Sequence, residues 1–92
     1  MTTKARARAR VTGTVQGVGF RWFTQRRAES YGITGFARNE YDGSVLVEAE
    51  GDREIVEQFL GELREGPTFA RVANVSVEWI TARHDHFFDV TG

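Results

Sequence analysis

Between Ala5 and Thr12 the chain alternates small apolar residues with arginine, so that Ala7, Ala9 and Val11 share one side of an extended segment and Arg6, Arg8 and Arg10 the other. This predicts a first strand with one buried face and one solvated face. After a glycine-spaced stretch from Gly13 to Gly19, the residues Phe20, Phe23, Arg27, Ala28 and Tyr31 recur at steps of three and four until Gly32. That spacing predicts a helix over roughly residues 21–31. Ile33 to Asn39 and Ser44 to Glu50 are short runs rich in strand formers, separated by Glu40-Tyr41-Asp42-Gly43, whose Asp-Gly pair tolerates positive φ. They predict a hairpin with Val45, Val47 and Ala49 facing the core. Gly51-Asp52 opens a second helix with acids in its first turn, an apolar face of Ile55, Val56, Phe59, Leu60 and Leu63, and a stop at Gly66-Pro67. Val72 to Ile80 reads as a further strand with Val75, Val77 and Trp79 on one face, and Phe87 to Val90 as a short final one.

The resulting order, strand, helix, strand, strand, helix, strand, predicts an α+β fold of the ferredoxin-like split βαβ type (βαββαβ), an antiparallel sheet with both helices on one face. No linker, repeat or low-complexity tract interrupts it, and 92 residues, 40% of them hydrophobic, match one domain whose core draws on nearly every element. Residues 1–92 are therefore expected to form a single domain, with residues 1–4 as a flexible N-terminal extension. This architecture hosts enzymes, RNA binders and ligand sensors, so function has to come from local motifs.

Composition narrows the chemistry. The absence of cysteine rules out disulfides, thiolate zinc sites and a thiol nucleophile, and fits a reducing, cytoplasmic setting. No apolar run approaches the roughly 18–20 residues that cross a bilayer, and Met1 to Arg10 lacks the apolar stretch of a secretory signal; no membrane partner is expected. The net charge of -1 conceals an asymmetry, because all seven basic residues before Glu29 stand without a single acid, whereas the remainder holds five against thirteen. One region is therefore electropositive and suited to an anionic small molecule or a nucleic acid.

Three glycines, Gly13, Gly17 and Gly19, stand where a strand must turn sharply into a helix, which lets backbone N–H groups converge without obstruction by side chains. The start of the helix adds unpaired N–H groups and a positive dipole end, and Arg21 adds a planar fork able to hold two phosphoryl oxygens. A plain tight connection with a solvated arginine is the competing reading. The spacing matches neither a Walker A loop, which needs Gly-Lys-Ser/Thr, nor the dinucleotide G-x-G-x-x-G.

Val11-x-Gly13-x-Val15-Gln16-Gly17-Val18-x-Phe20-Arg21 resembles the first signature of the acylphosphatase family at every defined position. Gly35-Phe36-Ala37-Arg38-Asn39, followed by Gly43-x-Val45 and Gly51, resembles the second. The resemblance covers essentially residues 5–91. It implies hydrolysis of small acyl phosphates to a carboxylate and inorganic phosphate, with Arg21 and Asn39 as the catalytic pair and Gln16, Gly17, Val18, Gly19 and Phe20 as the phosphate-binding segment. No cofactor and no metal are implied, and a monomer suffices.

Read chemically, Asn39 at the end of the second strand can orient a water in line with the bond to the leaving oxygen, while Arg21 and the loop amides take up charge on the phosphoryl oxygens, with no phosphoenzyme. An asparagine before a hairpin also commonly just caps the turn. Neither a histidine nor a carboxylate with an acid or base role stands in these motifs, so the leaving group departs unaided. A carboxylate, from an acid with a pKa of about 4, can do so; an alkoxide cannot. Phosphate esters are therefore expected to be poor substrates. Nothing in the motifs grips the acyl end, which predicts breadth toward short acyl groups.

Two further readings remain. Arg6, Arg8 and Arg10 could form a nucleic-acid patch, but Leu46, Glu48 and Glu50 occupy the same open face, and a solvated face pairing these acids with the arginines is simpler; no nucleic-acid partner is expected. A sensor that binds phosphate without turnover is the second. His84 and His86 around Asp85 read as a polar turn rather than a metal site, and Trp22, Trp79 and the phenylalanines as core or sheet-face packing, with Phe20 also able to wall the anion seat.

Overall fold

The alternation of Ala7, Ala9 and Val11 with arginine produces the first of two central strands. The computed structural model describes residues 3–92 as β1 (Lys4–Thr14), α1 (Phe20–Ser30), β2 (Thr34–Asn39), β3 (Val45–Asp52), α2 (Arg53–Glu65), β4 (Arg71–Ile80) and β5 (Phe88–Thr91). The sheet order is β4-β1-β3-β2-β5. Every pairing is antiparallel except β2 with β5, which is parallel. The fold is the expected α+β ferredoxin-like one, with a parallel fifth strand that makes the sheet mixed. The exception has a topological cause: after β4 the chain stands at one edge, and residues 81–87 carry it to the other before β5 runs alongside β2.

Ala7, Ala9 and Val11 lie opposite Ala49, Val47 and Val45 in the β1/β3 register, and all six are fully buried. The helices cover this face with Phe20, Thr24 and Ala28 from α1 and Val56, Phe59, Leu60 and Leu63 from α2. Small side chains on β1 leave room for the larger helix residues, each worth about 1.5–3 kcal/mol when removed from water. The side chain of Asp52 caps α2, accepting from the Glu54 amide at 3.4 Å.

The opposite face of the sheet departs from expectation. Arg6 is fully buried, and Leu46, Glu48 and Glu50 are buried as well; the 81–87 crossover lies against Arg6 and Glu50. Arg6 Nε donates to Glu48 at 2.7 Å, and Arg6 Nη1 donates to Glu50 at 3.0 Å and stands 3.1 Å from Asp85. Glu50 also accepts from the backbone amides of Arg83 and His84 at 2.8 and 2.9 Å. Asp85 and His84 are thus part of the clamp that holds the crossover down, which is more than a polar turn. Arg8 and Arg10 remain half-exposed and are paired as expected, Arg8 with Glu48 and Glu78, Arg10 with Asp42. Burial alone would raise the Glu48 and Glu50 carboxyls, but hydrogen bonds from Arg6 and Arg8 to Glu48, and from backbone amides and Arg6 to Glu50, outweigh it and hold both below their ordinary range.

Two other expectations are corrected. Of the residues expected to form a flexible extension, Lys4 pairs with Asp52 and the Thr3 carbonyl accepts from the Arg53 amide at 3.1 Å; Met1 and Thr2 lie outside the described residues. The aromatic residues are not all packed inside: Trp22, Phe69 and Phe87 are mostly exposed. In α1 the inward positions fall to Phe20, Thr24 and Ala28 at steps of four, which leaves Trp22, two positions away from Phe20, on the outer side.

Candidate active site

β1 and β2 both run antiparallel to β3, so their C-terminal ends emerge at the same edge of the sheet. The β1/β4 register shifts there between Thr12 and Gly13, where β4 carries the extra residue Ala73, and the pairing runs on to Thr14 opposite Arg71. Only glycine fits at position 13, where φ is 123° and an added Cβ would lie 2.1 Å from the Arg71 carbonyl oxygen. Residues 15–19 then lead into α1, whose N-cap is Gly19 at φ 81°. Residues 16–19 form a turn, and the Phe23 amide donates to Gly19 O at 3.0 Å. Among the described residues no acceptor of ordinary hydrogen-bond geometry serves the amides from Gln16 to Trp22. A short loop with no acidic residue in the following helical turn therefore keeps a set of donors free for an anion. A recess of about 150 Å³ opens against it, lined by Gly17, Gly19, Phe20, Arg21, Trp22 and Val90 among others.

The predicted phosphate-binding residues divide by what their side chains do. Gly17 and Gly19 have open space where a Cβ would stand and offer backbone only. Val18 packs against the core, and Phe20 is buried in it with its ring centroid 5.9 Å from that of Phe23. The Gln16 side chain is committed elsewhere: its Nε2 donates to Glu40 O at 2.7 Å and Ser44 O at 2.8 Å. It ties the loop to the β2–β3 turn, so Gln16 and Phe20 can serve an anion only through their amides. Gln16→Ala removes both bonds and is expected to raise the inhibition constant for inorganic phosphate and lower kcat/KM together, each by about tenfold, since two carbonyls lose their donor and the loop its anchor. Phosphate inhibition and turnover measured on one preparation check this.

Arg21 is half-exposed on the first turn of α1, and its Nη1 donates to the Thr91 carbonyl at 2.7 Å. Gln25, four residues on and on the same side of the helix, donates from Nε2 to the Phe88 carbonyl at 3.2 Å. α1 is thus held to β5 at both ends of that strand. Sequence reading did not single out Thr91 or Gln25; the four-residue step from Arg21 to Gln25 was the available signal, but the acceptors on β5 are backbone carbonyls and leave no trace in residue type.

Asn39 closes β2, opposite Val45 on β3. In the parallel β2/β5 pairing Arg38 lies opposite Thr91, and a Cβ added to Gly92 would stand 3.0 Å from the Asn39 amide nitrogen. The carbonyl that anchors Arg21 and the residue Asn39 therefore sit on adjacent strands one residue apart, and the two predicted catalytic side chains belong to the same corner of the fold. Asn39 Oδ1 is buried and accepts no hydrogen bond from the described protein atoms. A buried amide oxygen with no protein donor is costly unless something outside the protein supplies one. Among the described residues no cluster of three or more His, Cys, Asp or Glu is arranged to hold a metal ion. Among the described residues no helix is long and apolar enough to cross a membrane.

The fold is an α+β ferredoxin-like domain in which loop amides, a guanidinium and an orphaned amide oxygen share one corner. The acylphosphatase family model matches residues 7–90. An acylphosphatase of Salinibacter ruber is 52% identical over 80 residues, covering 87% of this chain and 84% of that protein. One from Thermococcus kodakarensis is 44% identical over 89 residues, covering 97% and 98%. The crystal structure of the Bacillus subtilis acylphosphatase superposes with a TM-score of 0.91 at 33% identity, covering 94% of this chain and 97% of that one. The chain belongs to the acylphosphatase family, and the activity this relationship supports is acyl phosphate hydrolysis.

Proposed function

We propose that the chain cleaves small acyl phosphates by a single in-line displacement at phosphorus. The phosphoryl group occupies the recess at the start of α1, its non-bridging oxygens receiving hydrogen bonds from the amides of Gln16 to Phe20 and from the Arg21 guanidinium. Asn39 Oδ1 accepts from a water and directs its oxygen at phosphorus. The new P–O bond forms as the bond from phosphorus to the acyl oxygen breaks; its electron pair leaves with the carboxylate, and the water's proton passes to a phosphoryl oxygen. Arginine and backbone donors serve the charge-stabilising role that a metal often fills in phosphoryl transfer. No protein nucleophile takes part. The working unit is one monomeric domain in the cytoplasm, acting on a small molecule; the arginines of β1, already matched by acids, are assigned no nucleic acid.

The observation that carries this reading is the Asn39 amide oxygen, buried without a protein donor beside the strand that anchors Arg21. Asn39→Ala tests it. Turnover is expected to fall by about a hundredfold while inhibition by inorganic phosphate stays close to the parent value, because the water loses its guide and the phosphoryl seat is intact. Undiminished turnover in Asn39→Ala would remove the water-positioning role.

A further inference from the structure

Among the described residues the side chains of α1 make two hydrogen bonds to β5, and one of them belongs to the residue assigned to the phosphoryl group. Arg21 Nη1 donates to the Thr91 carbonyl at 2.7 Å, and Gln25 Nε2 to the Phe88 carbonyl at 3.2 Å. The Phe87 carbonyl accepts from the Gly35 amide of β2 at 3.1 Å, so the Phe88 carbonyl, one step on, faces the other way, toward the free edge of the sheet. Gln25 thus supplies a donor to an edge acceptor that no strand reaches. That acceptor is well fixed, because Phe88 is buried with its ring centroid 6.4 Å from that of Phe59 on α2. Gln25 does not line the anion recess, whereas Arg21 and, from β5, Val90 do.

The two bonds run in opposite order along the two elements, Arg21 to the later strand residue and Gln25 to the earlier. Two points fix the angle between helix and strand; one leaves a pivot. Thr91 and the phosphoryl oxygens draw on the same guanidinium, so with Arg21 as the sole tie any slip of β5 along α1 would carry the fork away from the substrate. Gln25 ties the elements together without making any demand on Arg21. Resting on the role proposed above for Arg21, we infer that Gln25 is a positioning residue of the phosphoryl seat: it touches no substrate, and by holding α1 on β5 it sets where the Arg21 guanidinium stands. Gln25 lies outside both signatures, four residues beyond the end of the first.

The test is a double-mutant cycle in acyl phosphate hydrolysis with inorganic phosphate as inhibitor. Gln25→Met keeps the length and loses the donor; Gln25→Asn keeps the amide and falls one methylene short. In the parent background each is expected to lower kcat/KM and to raise the phosphate inhibition constant by about fivefold, the size of one lost hydrogen bond. In Arg21→Gln, where the guanidinium is already gone, the same substitutions are expected to change neither quantity by more than about twofold. The inhibition constant does not depend on how much of a preparation is folded, so a purely structural role leaves it unmoved. Gln25→Lys, which can donate to Phe88 again, is expected to recover most of the loss at high salt, where its added charge is screened. An inhibition constant unchanged in Gln25→Met and Gln25→Asn, an equal loss with and without Arg21, or no recovery in Gln25→Lys overturns the inference while the mechanism stands. Arg21→Gln alone tests whether the guanidinium holds the phosphoryl group, and activity equal to the parent there would overturn that role and the positioning of Gln25 with it.

Discussion

Arg21→Lys is expected to lower kcat/KM for an acyl phosphate by about a hundredfold or more, although charge is conserved. The guanidinium donates from Nη1 to the Thr91 carbonyl, which fixes its plane while leaving other N–H groups for the phosphoryl oxygens. Lysine has one nitrogen; if it satisfies Thr91 it cannot also present a fork to the substrate. Arg21→Gln is expected to lose as much and to weaken inhibition by inorganic phosphate, because the seat itself is damaged. Asn39→Ala leaves that inhibition nearly intact, so the pair of variants separates holding the phosphoryl group from delivering the water. Steady-state kinetics with phosphate as inhibitor check both, with unfolding curves to show that α1 remains docked on β5.

The second large effect is on stability. Arg6→Met is expected to cost about 3–5 kcal/mol, because Glu48 and Glu50 stay buried and lose a charged donor. For a domain of this size that lowers Tm by roughly 12 °C or more, measurable by thermal unfolding. The pH dependence follows from the depressed carboxyls. Their folded-state pKa values lie below the ordinary glutamate value of about 4.3, so the stability they contribute is fully present above that value and is lost as pH falls through the folded-state values. In Arg6→Met burial acts on the same carboxyls with one donor fewer, so protonation relieves the variant. The gap in Tm between parent and variant should therefore narrow below about pH 4. A gap constant with pH would mean that the ion cluster is not what Arg6 supports.

Such a buried cluster shows where the sequence stops being legible. The period-two pattern of Ala7, Ala9 and Val11 identified β1 and its core face, and the apolar steps of α2 identified its buried residues, because each depends on neighbours close along the chain. What covers Arg6 is a crossover more than seventy residues away, and no local pattern reveals that residues 81–87 pass over the arginine face. The parallel pairing of β5 and the burial of Glu48 and Glu50 escaped for the same reason. The candidate site was more legible because its parts lie in two short signatures: the glycine spacing before Arg21 and the Asn39 strand end. Yet the signatures did not distinguish roles within the loop. Gln16 was grouped with the phosphate-binding residues, and its side chain instead bonds Glu40 and Ser44 across the turn. Trp22 was read as packing because aromatic residues are usually buried, but its place on an eleven-residue helix whose inward positions are already filled turns it outward.

The stereochemical course at phosphorus tests the proposed displacement most directly. An acyl phosphate bearing an isotopically chiral thiophosphoryl group, hydrolysed in water labelled with the third oxygen isotope, gives inorganic thiophosphate whose configuration can be assigned. A single attack by the water that Asn39 orients gives inversion. Retention would mean two successive displacements through a phosphoenzyme, and label found in the carboxylate instead of the thiophosphate would mean attack at the acyl carbon; either result would contradict the mechanism built on Arg21 and Asn39.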